Sequence, residues 1–561
     1  MFGPMLGSVV AGLILSGCSF NGASKQSDGG VLIDAATIDA PVSPKVRFTS
    51  IELVGTNQLH PGQYGIEVKV ELVNELSTTI TDLQVQLVFD SSGTSQPPSF
   101  RWRSFDHREN TPPMATTIAP GKTTQLRFLL DVPASAATSE IVKINGAATF
   151  WAEGDTLAAT PLETPLTKDW MSIREIVVDT ANDDTADPTT SLRKAISQAM
   201  ATNGLSRITF APLVFPPDKS TTITLESALG ELPKIDKKKS DLVIDGTGVE
   251  LSVDLAWKDS ENYGLRIDGP TVVVSGMSFR NFARGYPETD LTSDNCGSQG
   301  KKDGGAIKVE SGTLILDGNH FADPDVAERD CYGAVVRVQG GNGHLILNNQ
   351  FTDQVMDSIS FEKPFKEVSG NVFVGKKAPG ATDPVLSDDG VVVNFNKKGE
   401  YWITSNLFVD LEFSGILVGD TVTRDVTLNV IHDTFIRNGN ALLQKSDAGA
   451  FFLRNNAYLG NQTQLLLTMG SAIDIDFESV DASMLCECSQ ATLGSMNVYN
   501  QTQQRFTNPS GSTIQDFTPL SNSSLIDNGT DLLDRNGRML GRYINDGPDR
   551  GAVERNHSSS R

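Results

Sequence analysis

The sequence predicts an all-β protein: an Ig-like antiparallel β-sandwich followed by a right-handed parallel β-helix with a capping helix at its N-terminal end. Three observations support this prediction. Apolar and polar residues alternate over residues 46–168, a short motif ending in an aromatic residue recurs from residue 276 onward, and one amphipathic segment precedes those recurrences.

The chain begins with an apolar run, residues 1–17, that is too short to span a bilayer but suits a signal-peptide core. The run ends in Leu15-Ser16-Gly17-Cys18, which resembles the bacterial lipobox, although a basic segment before it is missing. We therefore expect Cys18 to be lipidated, and Ser19 favours an outer-membrane lipoprotein, surface-exposed or periplasmic. The alternative is an ordinary signal peptide that contains a cysteine. Residues 18–45, rich in Ser, Gly, Asp and Ala, read as a flexible tether.

The formal net charge of −23 limits the choice of partners. Phosphate recognition needs basic clusters, so nucleic acid is not an expected partner. The same charge disfavours polyanionic ligands at long range. No later apolar stretch reaches 18 residues, so the expected membrane contact is the lipid anchor alone.

Residues 46–168 show the period-two alternation of half-buried strands. Ile66, Val68 and Val70 are interleaved with Glu67 and Lys69. Short alternating strands separated by Pro-Gly turns are typical of an antiparallel sandwich. The segment resembles the Ig-like modules of bacterial surface proteins, which often act as spacers, so we assign it no chemistry.

A change of pattern after residue 171 marks the predicted β-helix, residues 171–556. Leu192, Ala195, Ile196 and neighbouring residues lie on one helical face, with Thr189 or Thr190 as the expected N-cap. A single amphipathic helix before a repeat array suits a cap, because the open end of a stack otherwise exposes its core.

The recurring motif has four residues and ends in an aromatic residue, and in six of its seven instances it begins with Gly, Ser or Asn. Its seven aromatic positions, 22 to 42 residues apart, are Phe279, Phe321, Phe351, Phe373, Phe408, Phe435 and Tyr458. One motif per turn of a solenoid would stack these rings at the strand spacing of about 4.8 Å. We expect Phe351, Phe373 and Phe408 to lie in one internal stack.

Two stretches resemble known bacterial β-helix proteins. Residues 177–210 resemble the domain named for its Cys-Ser-Leu-Arg-Glu-Ala signature, with Thr190 in place of the Cys and Lys194 in place of the Glu. The C-terminal stretch, which includes Asp549-Arg550-Gly551-Ala552-Val553-Glu554, resembles the end of the choice-of-anchor Q proteins. The resemblance covers about residues 171–555 and implies a pectin-lyase-like solenoid. That superfamily contains lyases, hydrolases and adhesins, so it does not settle function.

Three acidic residues precede predicted strands and are the candidate catalytic residues: Asp303, Asp357 and Asp389. Equivalent positions of a solenoid form a column, and paired carboxylates about 5–9 Å apart can hydrolyse a glycosidic bond. They could instead bind Ca²⁺ for a lyase that uses Lys or Arg. The alternative is ordinary turn chemistry, since Asp-Gly commonly precedes a strand.

The cysteines and the insertions give further expectations. Cys296 and Cys331 flank consecutive turns, and we expect a disulfide between them in an exported chain. For Cys486 and Cys488 a strained ring and two free thiols stay open. The acidic insertions Asp290–Lys302 and Asp323–Cys331 are either a Ca²⁺ site on the binding face or solvated loops. No metal-binding motif is apparent.

Two functions remain open at this stage. The first is a surface-anchored lipoprotein whose β-helix binds a glycan or a cell-envelope component or has a structural role. The alternative is a polysaccharide lyase or glycoside hydrolase that acts on extracellular polysaccharide.

Overall fold

The structure is a computed structural model, which describes residues 45–493 together with 532–533 and 539–540. The gaps in the first range are residues 57, 93–100, 105–116, 137–140, 153–154, 185–187, 237–240, 254–262, 283–303, 324–332, 377–388, 424, 446–448, 468–471, 477–478, 481–485 and 488–490. The predictions for Cys18, Cys296, Asp303, Cys331 and Cys488, and for the C-terminal motif, therefore lie outside the described residues.

The N-terminal part is a sandwich of two sheets. One sandwich sheet has the strand order Val46–Leu53, Gln63–Asn74, Thr123–Val132, Arg101–Ser104. The opposite sandwich sheet has the order Gln58–Leu59, Leu166–Trp170, Ile141–Ala152, Thr81–Ser92, and Asp155–Ala158 also pairs with Ile141–Ala152. The alternation of Gln63–Asn74 buries Val68, Val70 and Leu72 in a core shared by both sheets. The predicted β-sandwich is confirmed.

A helix, Leu192–Met200, covers the first coil of the C-terminal part. Its buried face includes Leu192, Ile196 and Ala199, which join the solenoid core. The N-cap is Ser191, whose Oγ accepts a hydrogen bond from the backbone N of Lys194 at 3.2 Å. The expectation of a threonine cap was wrong by one or two residues, because the hydroxyl must reach the third helical amide.

Three columns of parallel strands run along the C-terminal part, and we call them the first, second and third sheet in their order along the coil. The first sheet begins at Tyr263–Ser275, after the other two. Two long strands, Tyr263–Ser275 and Gly305–Asp317, contribute to both the first and the second sheet. Shorter elements are the 3₁₀ helix Ser227–Leu229 and an antiparallel pair, Leu532–Leu533 with Met539–Leu540.

The other strands of the first sheet are Ala334–Val338, Asp357–Phe361, Val391–Val393, Ser414–Val418, Asn440–Gln444, Thr463–Leu466 and Cys486–Glu487. Those of the second are Arg174–Val178, Ser206–Phe210, Leu242–Asp245, His344–Leu347, Phe365–Ser369, Gly399–Thr404, Val426–Ile431, Ala450–Arg454, Ala472–Asp476 and Ala491–Leu493. The third contains Thr221–Leu225, Val249–Val253, Ser278–Arg280, His320–Ala322, Gln350–Gln354, Val372–Gly375, Leu407–Val409, Thr434–Ile436, Ala457–Leu459 and Ser479–Val480. This is the parallel β-helix that the sequence predicted.

The aromatic residues of the recurring motif form one continuous stack inside the coil. Successive ring centroids from Phe279 to Tyr458 are 4.7 to 5.3 Å apart, and the ring planes are within 12° of parallel. The spacing matches that of the strands because each ring is carried by its own coil. The expected stack of Phe351, Phe373 and Phe408 is confirmed.

A ladder of buried polar side chains runs beside this stack at the corner before the third sheet. Its members are Asn319, Asn349, Asn371, Asn406, Asp433 and Asn456, each at most 1% exposed. The residue before each has a positive φ, for example 55° at Asn348 and 69° at Gly370, which turns the chain sharply. The ladder therefore supplies hydrogen bonds where the backbone leaves the sheet.

The sandwich packs against the outer face of the second sheet. Tyr64 and Ala134 of the sandwich cluster with Val273, Ile315 and Leu345 of the β-helix. Tyr64 Oη also donates a hydrogen bond of 2.7 Å to the buried carboxylate of Asp317, a residue 253 positions away in the sequence. This interface is both apolar and hydrogen-bonded, so the two parts form one compact body.

Candidate functional site

Two of the three predicted catalytic carboxylates lie in neighbouring coils at the start of the first sheet. Ile359 pairs with Val391, which places Asp357 beside Asp389. The backbone N of Asp389 donates to Asp357 Oδ1 at 3.3 Å, and the backbone N of Ser358 donates to the Asp389 carbonyl oxygen at 3.0 Å. Asp357 is partly buried and Asp389 is 5% exposed. The Asp357 carboxylate thus links two coils through a backbone amide.

The third predicted carboxylate, Asp303, belongs to the coil of strand Gly305–Asp317. Ile307 pairs with Val336, and Ala334 pairs with Asp357, so the position equivalent to Asp357 in this coil is Gly305. Asp303 comes two residues earlier in the sequence and lies outside the described residues, so its place in the predicted column stays a prediction.

Two lysines that follow Asp357 in the sequence, Lys363 and Lys366, are candidates for the base that a lyase would need. Asp357 begins its strand, whereas Lys363 and Lys366 follow the end of that strand at Phe361. At about 3.3 Å per residue the strand itself spans about 13 Å. Asp357 and Asp389 are consequently not accompanied by these cations, and their catalytic role stays a prediction.

A second group of polar side chains lies on the outer face of the third sheet, and the sequence analysis did not single it out. One outward column contains Glu250, Ser278, His320 and Gln350, and the next contains Ser252, Arg280, Ala322 and Thr352. We call Glu250, Ser278, Arg280, His320, Gln350 and Thr352 the polar surface.

Contacts within the polar surface join side chains of different coils. His320 Nε2 and Thr352 Oγ1 are 2.7 Å apart. Glu250 accepts a hydrogen bond of 2.8 Å from Thr222 Oγ1, and its carboxylate is 3.7 Å from the Arg280 guanidinium. Burial lowers the pKa of His320, against smaller raising effects of Asp353 and Glu250. His320 is therefore mainly neutral at pH 7.

The same two columns become apolar in the coils that follow. Val372, Leu407, the buried Thr434 and Ala457 continue the first, while Val374, Val409 and Ile436 continue the second. The six apolar side chains among them are at most 7% exposed and form a hydrophobic cluster of their own. The polar surface therefore ends at the coil of Gln350–Gln354, beyond which the two columns are mainly apolar.

The polar surface lies next in the sequence to the two acidic insertions. Strand Ser278–Arg280 is followed by Asn281 and Phe282, after which residues 283–303 lie outside the described residues. Strand His320–Ala322 is followed by Asp323, after which residues 324–332 lie outside them. The strands that carry Arg280 and His320 thus end where the predicted binding loops begin.

The remaining expectations concern metals, thiols and membrane contact. The described residues contain no group of three His, Cys, Asp or Glu side chains that could hold a metal ion, and the Ca²⁺ prediction for the insertions stays untested. Cys486 begins the strand Cys486–Glu487. Within the described ranges, neither helix has the length and apolar character needed to cross a membrane.

Sequence reasoning missed the polar surface because its members share neither residue type nor a motif. One signal was present. Each member is one position before or after the inward-facing residue of its strand, and in three of the four strands that inward residue is the aromatic residue of the motif: Phe279, Phe321 or Phe351. Once that position is fixed, alternation assigns its neighbours to the outer face.

No protein-family model matches the chain, and no curated protein matches it. Among solved structures, it is similar to the catalytic domain of a GH87 alpha-1,3-glucanase, in a D1068A variant complexed with tetrasaccharides and in a form complexed with nigerose. Both alignments have 10% sequence identity and cover 82% of this chain and 96% of the glucanase domain, with TM-scores of 0.23 and 0.22. Likenesses this weak carry no argument about function, so the argument rests on the residues of this chain.

Proposed function

We propose that the protein is a surface-anchored lipoprotein whose β-helix binds a neutral glycan through the polar surface and does not cleave it. The observation that carries the proposal is the pair of outward columns on the third sheet. They hold seven hydrogen-bonding side chains over four consecutive coils, the six of the polar surface and Ser252.

The composition of the polar surface suits sugar hydroxyl groups, which both donate and accept hydrogen bonds. Arg280 donates, Glu250 accepts, and Gln350 does both. Coils about 4.8 Å apart repeat such groups regularly along the axis. Gln350 is exposed, so its side-chain amide is available to a ligand.

The charge balance favours a neutral ligand. Glu250 is close to Arg280, and His320 is mainly neutral, so the polar surface carries little net charge. The chain as a whole has a net charge of −23, which repels uronate-rich polymers. A neutral oligosaccharide is therefore preferred over an acidic one.

The spacing of carboxylates on this surface argues against cleavage. Two carboxyl groups must flank a glycosidic bond, about 5–9.5 Å apart. The carboxylates that influence His320 are Glu250 and Asp353, which lie three coils apart. Three coils correspond to about 14 Å, which is too far for that chemistry.

The alternative function, a glycoside hydrolase, has one observation in its favour. Asp357 and Asp389 lie in adjacent coils, and a separation of about 5 Å is the one that retaining glycosidases use. The burial of Asp389 and the backbone amide on Asp357 oppose this interpretation, because a catalytic acid must reach the sugar.

Binding can be tested with the full chain purified in detergent. We expect it to bind neutral oligosaccharides on a glycan array, with or without Ca²⁺, and Gln350→Ala to weaken that binding about tenfold, the equivalent of one good hydrogen bond. Gln339→Ala is the matched control, since Gln339 follows a strand of the first sheet and donates to Glu362.

Three outcomes would contradict the proposal: no glycan bound, equal weakening by both glutamine substitutions, or release of reducing sugar or unsaturated products by the wild-type chain. The last outcome would favour the hydrolase or lyase alternative directly.

Anchoring at Cys18 rests on the sequence motif and needs its own test. Cys18→Ser should abolish incorporation of a fatty-acid label and leave a precursor that retains residues 1–17. Cys488→Ser is the matched control and should be labelled as the wild-type chain is. Normal maturation and membrane retention of Cys18→Ser would refute the lipoprotein assignment and leave the glycan-binding proposal standing.

A further inference from the structure

The buried ladder contains one member that is an acid where every other is an amide. Asn319, Asn349 and Asn371 each donate from Nδ2 to the Oδ1 of the next member at 2.9 to 3.0 Å. Each also donates from Nδ2 to a carbonyl oxygen of the second sheet. In these steps the Oδ1 atom accepts and the Nδ2 atom donates twice.

Asp433 fits the accepting half of this pattern. Its Oδ1 accepts from the backbone N of Asn406 at 2.7 Å and from Asn406 Nδ2 at 2.9 Å. Its own backbone N donates to Asn456 Oδ1 at 2.8 Å. The orientation of Asn456 is fixed, because its Nδ2 donates to the Val430 carbonyl oxygen at 2.9 Å.

Asp433 Oδ2 occupies the position that the donating Nδ2 atom has in the asparagines of the ladder. In those asparagines Nδ2 faces the Oδ1 atom of the next member, and for Asp433 the next member is Asn456. By the register Asp433 Oδ2 also faces the carbonyl of Ile403, which lies between Val368 and Val430. Both of these neighbours are acceptors. The backbone amide of Ile431 also favours the ionised carboxyl, but Oδ2 has no donor in hydrogen-bonding geometry. A protonated Oδ2 would instead donate to one of the two acceptors.

We propose that Asp433 is held as a neutral carboxylic acid that completes the ladder, and that this coil loosens when the proton is lost. The device is independent of the glycan-binding surface. It makes the cohesion of the coils around Asp433 depend on pH.

The surroundings support a proton at this position. Complete burial raises the pKa of the Asp433 carboxyl to about 8 from its ordinary value of 3.8, against the opposing hydrogen bonds from Asn406 and Ile431. The groups that face it from the adjacent coils are the neutral amides of Asn406 and Asn456. The titratable neighbours are His432, which precedes it, and the ion pair of Arg437 with Asp410 at the following corner.

The direction of the pH effect follows from proton binding. Below about pH 4 the folded and unfolded chains both carry the proton, and the full stability is present. Between about pH 4 and pH 8 the folded chain alone retains it, so the unfolding constant rises about tenfold per pH unit from this residue. Above about pH 8 the folded chain loses it as well, and the loss levels off.

Asp433→Asn restores an amide to the ladder and tests the proposal on the full chain. We expect the variant to unfold at nearly the same denaturant concentration as the wild type at about pH 4, and at a clearly higher one at about pH 9. Asp420→Asn is the matched control, because Asp420 is exposed, and it should follow the wild-type profile.

Infrared spectroscopy gives a second measurement that does not require unfolding. At about pH 6 the wild type and Asp420→Asn should show the carbonyl band of a buried protonated carboxyl group, and Asp433→Asn should lack it. A band that persists in Asp433→Asn, or a difference in stability between Asp433→Asn and wild type that is independent of pH, would overturn the proposal.

Discussion

The inner and outer faces of the third sheet follow opposite rules. On the inner face an aromatic ring recurs in seven coils, from Phe279 to Tyr458, at nearly constant spacing. On the outer face the neighbouring position holds Glu250, Ser278, His320 and Gln350 in four consecutive coils and becomes Val372 in the next. The strands pair in parallel throughout, with one register shift, after Phe351, at the step where the outer columns become apolar.

This difference shows that the inner face carries the sequence signal for the fold and the outer face the signal for function. A ring inside the coil must contact rings above and below it, so each coil constrains the next and the residue type repeats. The outward side chains of the polar surface are partly buried or exposed and can vary without opening a cavity, whereas the outward apolar residues from Val372 onward are buried. Repetition therefore reports the fold, and the break in the outer columns marks the region in which to look for function.

Asp433 shows that even the inner positions do not repeat perfectly. Its neighbours in the ladder are five asparagines, and it keeps their geometry with an acid. An unfavourable residue at a fully buried, repeated position is the kind of exception that can serve regulation.

The largest effect should come from cutting the inner stack. Phe373 is fully buried between Phe351 and Phe408, at centroid distances of 5.0 and 4.8 Å. Phe373→Ala should lower the free energy of unfolding by about 3–5 kcal/mol through lost burial and a cavity. Chemical denaturation followed by circular dichroism would measure it.

Gln350→Ala is the comparison on the outer face of the same sheet, and it should change the free energy of unfolding by less than about 0.5 kcal/mol. The sequence alone would offer Lys376→Ala as a surface control for Phe373→Ala. It is a poorer control than Gln350→Ala, because Lys376 Nζ donates a hydrogen bond of 2.9 Å to the Asp323 carbonyl oxygen. Equal destabilisation by Phe373→Ala and Gln350→Ala would mean that the contrast between the faces is wrong.

The fold was predictable because several independent signals agreed. The aromatic motif gave the coils, the alternation gave the sandwich, and the segment from Leu192 to Met200 gave the cap. The contact of Tyr64 with Asp317 was not predictable, because two residues 253 positions apart share no pattern in one sequence. The same holds for the side of the β-helix on which the sandwich packs.

The candidate site was predictable only in part. Asp357 and Asp389 do lie in adjacent coils, as the Asp-Gly and Asp-Ser pattern suggested. The pattern could not reveal that Gly305 holds the equivalent position in the coil before Ala334–Val338, since turn lengths before a strand vary by one or two residues. It also could not reveal that the Asp389 side chain is buried.

The smallest effect expected is that of Asp357→Asn, which tests whether an acid at the start of the first sheet is structural. Asparagine keeps the Oδ1 that accepts the Asp389 amide, and the 3.3 Å bond is long, so the free energy of unfolding should change by less than about 1 kcal/mol. Asp357→Ala removes the acceptor and should cost about 1–3 kcal/mol, because the amide then loses its partner. Glycan affinity should be unchanged in Asp357→Asn, since Asp357 is not part of the polar surface. Isothermal titration with a neutral oligosaccharide and a reducing-sugar assay would follow the two quantities. If the wild-type chain releases reducing sugar and Asp357→Asn does not, this carboxylate is catalytic and the contrast between a structural edge and a binding face fails.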